Sequence, residues 1–200
     1  MAEKNDEYSF FAMMSRLRYI DRWMLMRNSR EESLSEHSLD VAMLAHALCI
    51  IGNRRFGRNL DCEKAAMIGM FHDVSEIITG DMPTPVKYFN EDIKHIYKDI
   101  ESDACKKLLS LLPEDMKEDY RKLLMPEDGK LEYERRLVKG ADKLSAFIKC
   151  IEEKKAGNNE FVSAEKTTLE TIHRLQLPEV EIFLNEFIPS YGKTLDDMML

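Results

Sequence analysis

A helical stretch near the middle of the chain is apolar except for three side chains. The stretch begins after the N-cap residue Asp61 and stops at Gly80, which are typical helix start and stop signals. Because most of its remaining surface is apolar, we expect the helix to be buried. His72, Asp73 and Glu76 converge on one arc of it, since positions four apart share a helix face. Charged groups are rarely buried unless they are paired or bind metal, so the pattern predicts a metal site, an ion-pair network or a polar edge.

Two residues elsewhere in the chain offer partners for this cluster. His37 follows a capping box formed by Ser33 and Glu36, and it falls on the apolar face of the helix that the box begins. The positive end of that helix disfavours imidazolium, and neutral imidazole is the form that binds metal. The alternative is a core histidine bonded to a backbone carbonyl. Asp142 lies at the edge of an apolar stripe and, taken alone, is a solvated carboxylate.

Two imidazoles and two carboxylates come, in chain order, from three predicted helices: His37, His72, Asp73 and Asp142. A mixed nitrogen and oxygen set suits a divalent ion such as Mn, Co, Fe, Ni or Zn and leaves positions open for water and substrate. The four cysteines are scattered without a C-x-x-C pair, which argues against a thiolate site.

The rest of the chain favours helix. Strand signals are nearly absent, whereas Leu, Ala, Glu, Lys and 13 Met favour helix. We therefore predict an all-α fold with a single domain over residues 1–200. Helices are predicted over 8–22, from Ser33 to Gly52, from Asp61 to Gly80, over 90–112, from Pro113, over 131–157, from near 161 and from Pro178, with a turn at 126–130.

Charge and composition narrow the possible partners. The net charge of −8 and the pI near 5.3 argue against a nucleic acid polymer or an anionic membrane as partner. The first ten residues mix charges of both signs and have no apolar core, unlike a signal peptide. No apolar run reaches the roughly 18 residues of a membrane span. With its scattered cysteines, which suit a reducing compartment, the chain is predicted to be cytoplasmic.

Longer blocks carry a family resemblance. Together with the H…HD…D order, the segments "SRLRYIDRWMLMRNSREESLSEHSLDVAMLAHAL", "FHDVSEIITGDMPTPVKYFN" and "VKGADKLSAFIKCIEEKKAGNNEF" resemble the HD-domain superfamily and, within it, the bacterial 5′-deoxynucleotidase (YfbR-like) family. The resemblance implies a single HD-domain helical bundle with a metal site in its core. It also implies hydrolysis of deoxyribonucleoside 5′-monophosphates, a divalent cation such as Co, Mn or another first-row transition metal, and a homodimer.

The resemblance also assigns roles to individual positions. It implies metal ligation by His37, His72, Asp73 and Asp142, and catalytic roles for Glu76, Arg22 and Asp81. It implies nucleotide contacts by Arg22, Trp23, His37, Asp73, Asp81, Met82, Pro83, Thr84 and Asp142.

The residues themselves give these roles a physical basis. The Arg22 guanidinium can bind two phosphate oxygens, and Trp23 offers a flat apolar wall; a core Trp beside a surface Arg is the alternative. Glu76 can accept a proton from water or orient it, or it can brace His72. Asp81 can protonate the departing 5′ oxygen or hold a sugar hydroxyl. Met24 stands where the compared family enzyme has Pro, which leaves the strength of selection against a 2′-hydroxyl open.

Two other functions compete with the leading one. Another HD-domain phosphohydrolase would act on a nucleoside triphosphate or a phosphodiester, but a triphosphate needs several basic groups and only Arg22 and Lys87 qualify. A non-catalytic nucleotide-sensing module is disfavoured, because a degenerate copy would have lost some of these residues.

Overall fold

The computed structural model describes residues 8–87, 89–125, 129 and 131–199, with the side chains of 84 and 85 excepted. Within these residues there is no β-strand, and the predicted all-α fold is confirmed. The predicted turn at 126–130 falls largely outside them, and the single-domain organisation over 1–200 stays a prediction. The α-helices are α1 (Phe10–Met14), α2 (Leu34–Phe56), α3 (Cys62–Phe71), α4 (Glu76–Thr79), α5 (Thr84–Lys87), α6 (Glu91–Leu109), α7 (Glu114–Leu124), α8 (Glu132–Lys155), α9 (Val162–Arg174), α10 (Pro178–Glu186) and α11 (Leu195–Met199).

The predicted capping box begins α2. The Ser33 side chain accepts a hydrogen bond from the Glu36 backbone N–H, and the Glu36 carboxylate accepts one from the Ser33 backbone N–H, so two N–H groups at the helix start are satisfied. The predicted end at Gly52 is wrong. The helix runs on to Phe56, and Gly57 ends it with a φ of 63°, a left-handed conformation that glycine adopts without steric cost.

Helices α2, α3 and α8 form the centre of the molecule. Their apolar faces meet in one cluster that α10 also joins, and burial of this surface is the main force that holds the three helices together. At Gly69, α3 comes so close to α2 that an added Cβ would lie 3.1 Å from both Ala42 Cα and Val41 O. The helices that carry His37 and Asp142 are thus in direct contact with α3, which leads into the turn that holds His72 and Asp73.

Helix α2 also has the length and mean hydropathy, 1.3, of a membrane-spanning helix, and it is the one such helix in the described part of the chain. More than half of its most apolar window, 56%, is buried inside the protein. Packing in the core therefore accounts for its composition.

Two predicted helices are interrupted. The predicted helix over 8–22 is α1 followed by a 3-10 helix, Ser15–Tyr19, after which Ile20 is extended. Asp21 then forms an isolated antiparallel bridge with Ser33, because the chain must turn back to begin α2. The predicted helix from Asp61 to Gly80 is divided into α3 and α4 by a turn over 72–75.

Candidate metal centre

The turn between α3 and α4 is formed by a side chain that replaces a helical hydrogen bond. His72 Nδ1 donates to the Gly69 carbonyl at 2.7 Å, the carbonyl that the Asp73 N–H would bind in a continuous helix. Side-chain bonds of this kind compete with the helix ladder. With its proton on Nδ1, His72 presents the lone pair of Nε2 to the interior.

His37 enters the same space from α2. Its side chain is fully buried, and its Nδ1 lies 3.1 Å from Ser145 Oγ on α8. This hydrogen bond fixes the ring and leaves Nε2 facing the His72 ring, whose centroid is 5.2 Å from that of His37.

Three of the four predicted ligands form one compact group. One ligand atom from each of His37, His72 and Asp73 lies within 4.8 Å of the others. Asp73 Oδ2 is 2.9 Å from His72 Nε2 and 3.5 Å from His37 Nε2. The fourth, Asp142, stands beside the group with Oδ1 3.4 Å from His37 Nε2, and its Oδ2 pairs with Lys143 at 2.9 Å.

The donor atoms of this group fit a divalent transition ion. Both Nε2 atoms are buried, and within the described residues neither has a hydrogen-bond partner. Burial of a polar atom without a hydrogen-bond partner costs free energy. Here two imidazole nitrogens converge with carboxylate oxygens at one point, which is the arrangement of ligands around a metal ion. Two imidazole nitrogens with carboxylate oxygens are the set that borderline first-row ions prefer.

Electrostatic interactions keep the carboxylates of this group ionised. Burial opposes the charge on Asp73 and Asp142. The imidazoles of His37 and His72, joined at Asp142 by the Lys143 ammonium, outweigh it and hold both pKa values well below the usual range. Burial also disfavours the imidazolium of His72, but the Asp73 carboxylate and other contacts outweigh it and raise the His72 pKa. The two carboxylates are therefore ionised, and in the absence of a cation they favour protonated imidazole; a metal ion at this point would compete with that proton.

Glu76 begins α4 beside this centre and is buried. Burial, with the negative charges of Asp73 and Asp81, raises its pKa to about 9. Its Oε2 is buried and has no hydrogen-bond partner in the described part of the chain. Its surroundings therefore favour the neutral, protonated form of Glu76, and a positive charge nearby would favour its carboxylate form.

Arg22 and Trp23 lie on the segment that precedes α2. The Arg22 side chain is only 13% exposed, with Nη1 3.7 Å from Glu32 Oε1, and its charge acts on both Glu76 and Asp81. Trp23 packs edge-on against Phe161, with ring centroids 5.3 Å apart. The alternative, a surface Arg beside a core Trp, is wrong for Arg22, because its side chain is largely buried and its charge acts on two residues beside the candidate metal site.

The predicted segment 81–84 follows Gly80, where the chain leaves α4 with a φ of 72°. Asp81, Met82 and Pro83 are half-buried, while the Thr84 side chain lies outside the described residues. Burial raises the pKa of Asp81, although the Arg22 charge opposes this. The structure therefore brings Asp81 into electrostatic contact with Arg22 and Glu76.

Sequence reasoning missed two residues of the site. Glu32 contacts Arg22, Trp23 and His37, and Ser145 binds His37. Ser145 gave a signal, a hydroxyl three residues after Asp142 in an otherwise apolar stripe. Glu32 lies in the run "REESLSEH", where nothing separates it from its charged neighbours.

Comparison with solved structures defines the class. An HD-domain phosphohydrolase from Listeria innocua superimposes with a TM-score of 0.79 at 27% identity, over 92% of this chain and 88% of the other. The cyanophage S-2L HD phosphohydrolase DatZ, solved with dA and one catalytic Zn²⁺ ion, superimposes with a TM-score of 0.66 over 90% of this chain and 96% of the other. At 19% identity, the second likeness is one of fold alone. The fold is that of the HD-domain phosphohydrolases, as the resemblance in the sequence predicts.

Sequence comparison defines the family. The model of the YfbR-like 5′-deoxynucleotidases matches residues 9–191. A 5′-deoxynucleotidase of Yersinia pestis (strain Pestoides F) is 51% identical over 191 residues, 96% of each chain, and one of Yersinia pseudotuberculosis serotype O:3 (strain YPIII) is equally similar. The chain belongs to the YfbR-like 5′-deoxynucleotidase family, a family of hydrolases, and the family resemblance found in the sequence is confirmed.

Proposed function

We propose that the protein is a metal-dependent 5′-deoxynucleotidase that hydrolyses deoxyribonucleoside 5′-monophosphates to deoxyribonucleosides and phosphate. The observation that carries the proposal is the convergence of His37, His72 and Asp73 on one point, with their ligand atoms within 4.8 Å, in a chain of this family. The proposed metal ligands are these three residues and Asp142.

The metal proposed is a divalent first-row ion such as Co or Mn. When bound, such an ion supplies a Lewis acid that screens the phosphate charge and lowers the pKa of water. The buried Nε2 atoms of His37 and His72, which have no hydrogen-bond partner among the described residues, support a transition ion over Mg²⁺, because Mg²⁺ prefers oxygen ligands.

Glu76 is the proposed proton-handling group. Its buried Oε2 has no partner among the described residues. In the carboxylate form, which a bound cation would favour, it can take a proton from the attacking water or hold that water in line. General acid–base groups of this kind contribute about 10²–10⁴-fold to the rate. The raised pKa of Glu76 means that the group can also retain the proton after attack.

Arg22, Trp23 and the 81–84 segment are proposed to hold the nucleotide. The buried Nη1 of Arg22, which lacks a hydrogen-bond partner in the described chain, can bind a phosphate oxygen. The Trp23 ring supplies the wall for the sugar. Asp81 is proposed to donate a proton to the departing 5′ oxygen, which its raised pKa supports, and Met82, Pro83 and Thr84 are proposed to contact the nucleotide.

A phosphate-release screen tests the function. Chelated protein would be supplied with Mn, Co, Mg or Zn and with deoxy- or ribonucleoside mono- and triphosphates. We expect phosphate from deoxyribonucleoside monophosphates with a transition ion, and less from their ribo counterparts. Release from triphosphates alone, or no dependence on metal, would overturn the proposal.

We also propose a cytoplasmic homodimer, which family membership supports. Leu39, Met43 and Ile50 form an exposed apolar stripe along α2, and exposed apolar surface of this kind is typical of protein contacts. Sedimentation equilibrium of the full chain tests the oligomeric state, and cell fractionation tests the location.

A further inference from the structure

We propose that Glu32 is a positioning residue that connects the metal centre to the part of the site that holds the nucleotide. Its effect on turnover rests on the proposed function; its effect on the shape of the site does not. The Glu32 carboxylate contacts the candidate metal ligand His37 and both Arg22 and Trp23.

The contacts of the Glu32 carboxylate are divided between its two oxygens. Oε2 accepts a hydrogen bond from Trp23 Nε1 at 3.1 Å. Oε1 lies 3.7 Å from Arg22 Nη1 and 3.6 Å from His37 Nδ1. The side chain is only 13% exposed, so water competes weakly for these contacts and their electrostatic strength is greater than on the surface.

The Glu32 backbone is itself held in place. Its carbonyl accepts the Arg22 N–H at 2.9 Å, and the Leu34 N–H donates to the Ile20 carbonyl at 2.8 Å. The next residue, Ser33, begins α2 through its capping box. The carboxylate therefore extends from a rigid junction between the arginine segment and the helix that carries His37.

Trp23 needs this support more than an ordinary residue would. Its φ is 58°, and a residue other than glycine in this region stores about 1–3 kcal/mol of backbone strain. The Glu32 hydrogen bond and the Phe161 ring contact hold the indole while the backbone is strained. Loss of the bond would leave the indole held by the Phe161 ring and by the Arg22 guanidinium, 6.0 Å from its centroid, neither of which is a hydrogen bond.

At His37, Glu32 acts through charge. Ser145 Oγ is the hydrogen-bond partner of Nδ1, but a hydroxyl can donate or accept and does not select a tautomer by itself. The negative charge of Glu32 at 3.6 Å favours a proton on Nδ1, whereas Asp73 and Asp142, at 3.5 and 3.4 Å, favour one on Nε2. When a cation neutralises those two carboxylates, the Glu32 charge favours the tautomer that leaves Nε2 as the metal ligand. Carboxylates that orient ligating histidines in this way change metal affinity or activity by about 10–100-fold when removed.

The test uses the one Trp in the sequence as a probe. Glu32→Ala, Glu32→Gln and the control Glu31→Ala, at the exposed neighbouring position, would be compared by Trp fluorescence and acrylamide quenching. We expect Glu32→Ala to shift the emission to the red and increase quenching. Glu32→Gln, whose amide oxygen can accept from Trp23 Nε1, should restore both signals, and Glu31→Ala should match the wild type.

Metal titration and kinetics complete the test. We expect both Glu32 variants to bind Mn or Co at least about tenfold more weakly, because the amide has no charge to act on His37. Glu32→Ala should also raise KM for a deoxynucleotide more than it lowers kcat and reduce the preference over the ribonucleotide, at saturating metal. Wild-type fluorescence and metal affinity in Glu32→Ala, or equal losses in Glu31→Ala, would overturn the proposal.

The two proposals can fail separately. If the wild type releases no phosphate while Glu32→Ala still alters the fluorescence and weakens metal binding, the assigned reaction is wrong and the positioning role of Glu32 stands. If the wild type is an active deoxynucleotidase and Glu32→Ala changes thermal stability alone, the positioning role is wrong.

Discussion

His72 Nδ1 lies 2.7 Å from the carbonyl oxygen of Gly69, and this hydrogen bond both ends α3 and orients the imidazole toward His37. The same glycine lets α3 approach α2, since an added Cβ would lie 3.1 Å from Ala42 Cα. One short segment thus sets the backbone turn, the ring orientation and the helix spacing of the centre.

Gly69→Ala should therefore disturb both fold and metal site. The new methyl group meets α2 backbone atoms that cannot move without the helix, so we expect a loss of about 1–3 kcal/mol in the free energy of unfolding. Metal should also bind more weakly, because α2 carries His37. Urea unfolding and metal titration check this, with Gly192→Ala as control, since an added Cβ there meets nothing within 4 Å in the described structure. Equal behaviour of the two variants would contradict the prediction.

The sequence predicted which side chains lie together better than it predicted the local backbone. Helical periodicity placed His37 on the inward face of its helix and His72 with Asp73 on one arc of the next, because burial of an apolar face determines which side of a helix points inward. The family resemblance then implied that these residues share one site. Periodicity could not reveal the turn at 72–75, which depends on the His72 side chain taking the Gly69 carbonyl. It could not identify Glu32 either, because the contacts to Trp23 and His37 arise only when the segment before α2 folds back.

Glu76→Gln should retain metal and lose turnover. The amide keeps the size of the buried side chain but cannot take a proton, so kcat should fall by about 10²–10⁴-fold. Elemental analysis should give wild-type metal content, because Glu76 is outside the group of ligand atoms. Normal turnover would exclude Glu76 as the proton-handling group.

We expect the Asp73→Ala variant to bind less metal than the wild type. Asp73 Oδ2 lies 2.9 Å from His72 Nε2 and 3.5 Å from His37 Nε2, so its removal leaves the two imidazoles without the carboxylate that completes the compact group. We expect substoichiometric metal by elemental analysis and no phosphate release. Asp99→Ala on the exposed face of α6 is the matched control, and unchanged occupancy in Asp73→Ala would contradict the ligand assignment.

Asp81→Asn separates proton donation from sugar binding. The amide still makes hydrogen bonds but has no acidic proton, so a proton donor predicts a kcat loss of about 10²-fold or more with little change in KM. A substrate with a leaving group of low pKa should recover most of the rate. A raised KM with unchanged kcat would instead assign Asp81 to the sugar.

Glu153 should make the fold sensitive to acid. Burial opposes its charge, but hydrogen bonds from Lys149, Asn158 and the Ser29 N–H outweigh this and lower its pKa to about 2, from 4.5. A carboxylate with a lowered pKa in the folded state stabilises the protein above pH 4.5, and this contribution, about 3 kcal/mol, is lost as pH falls toward 2.

Urea unfolding of wild type and Glu153→Gln at several pH values checks this. The stability difference should be largest near neutral pH and shrink steadily below pH 4.5, because the protonated acid resembles the amide. Glu186→Gln, which removes a carboxylate paired with Arg55 on the surface, should show a far smaller change, since exposed pairs contribute little. A stability difference between wild type and Glu153→Gln that stays constant from neutral pH to pH 2 would show that Glu153 acts through packing and not through its charge.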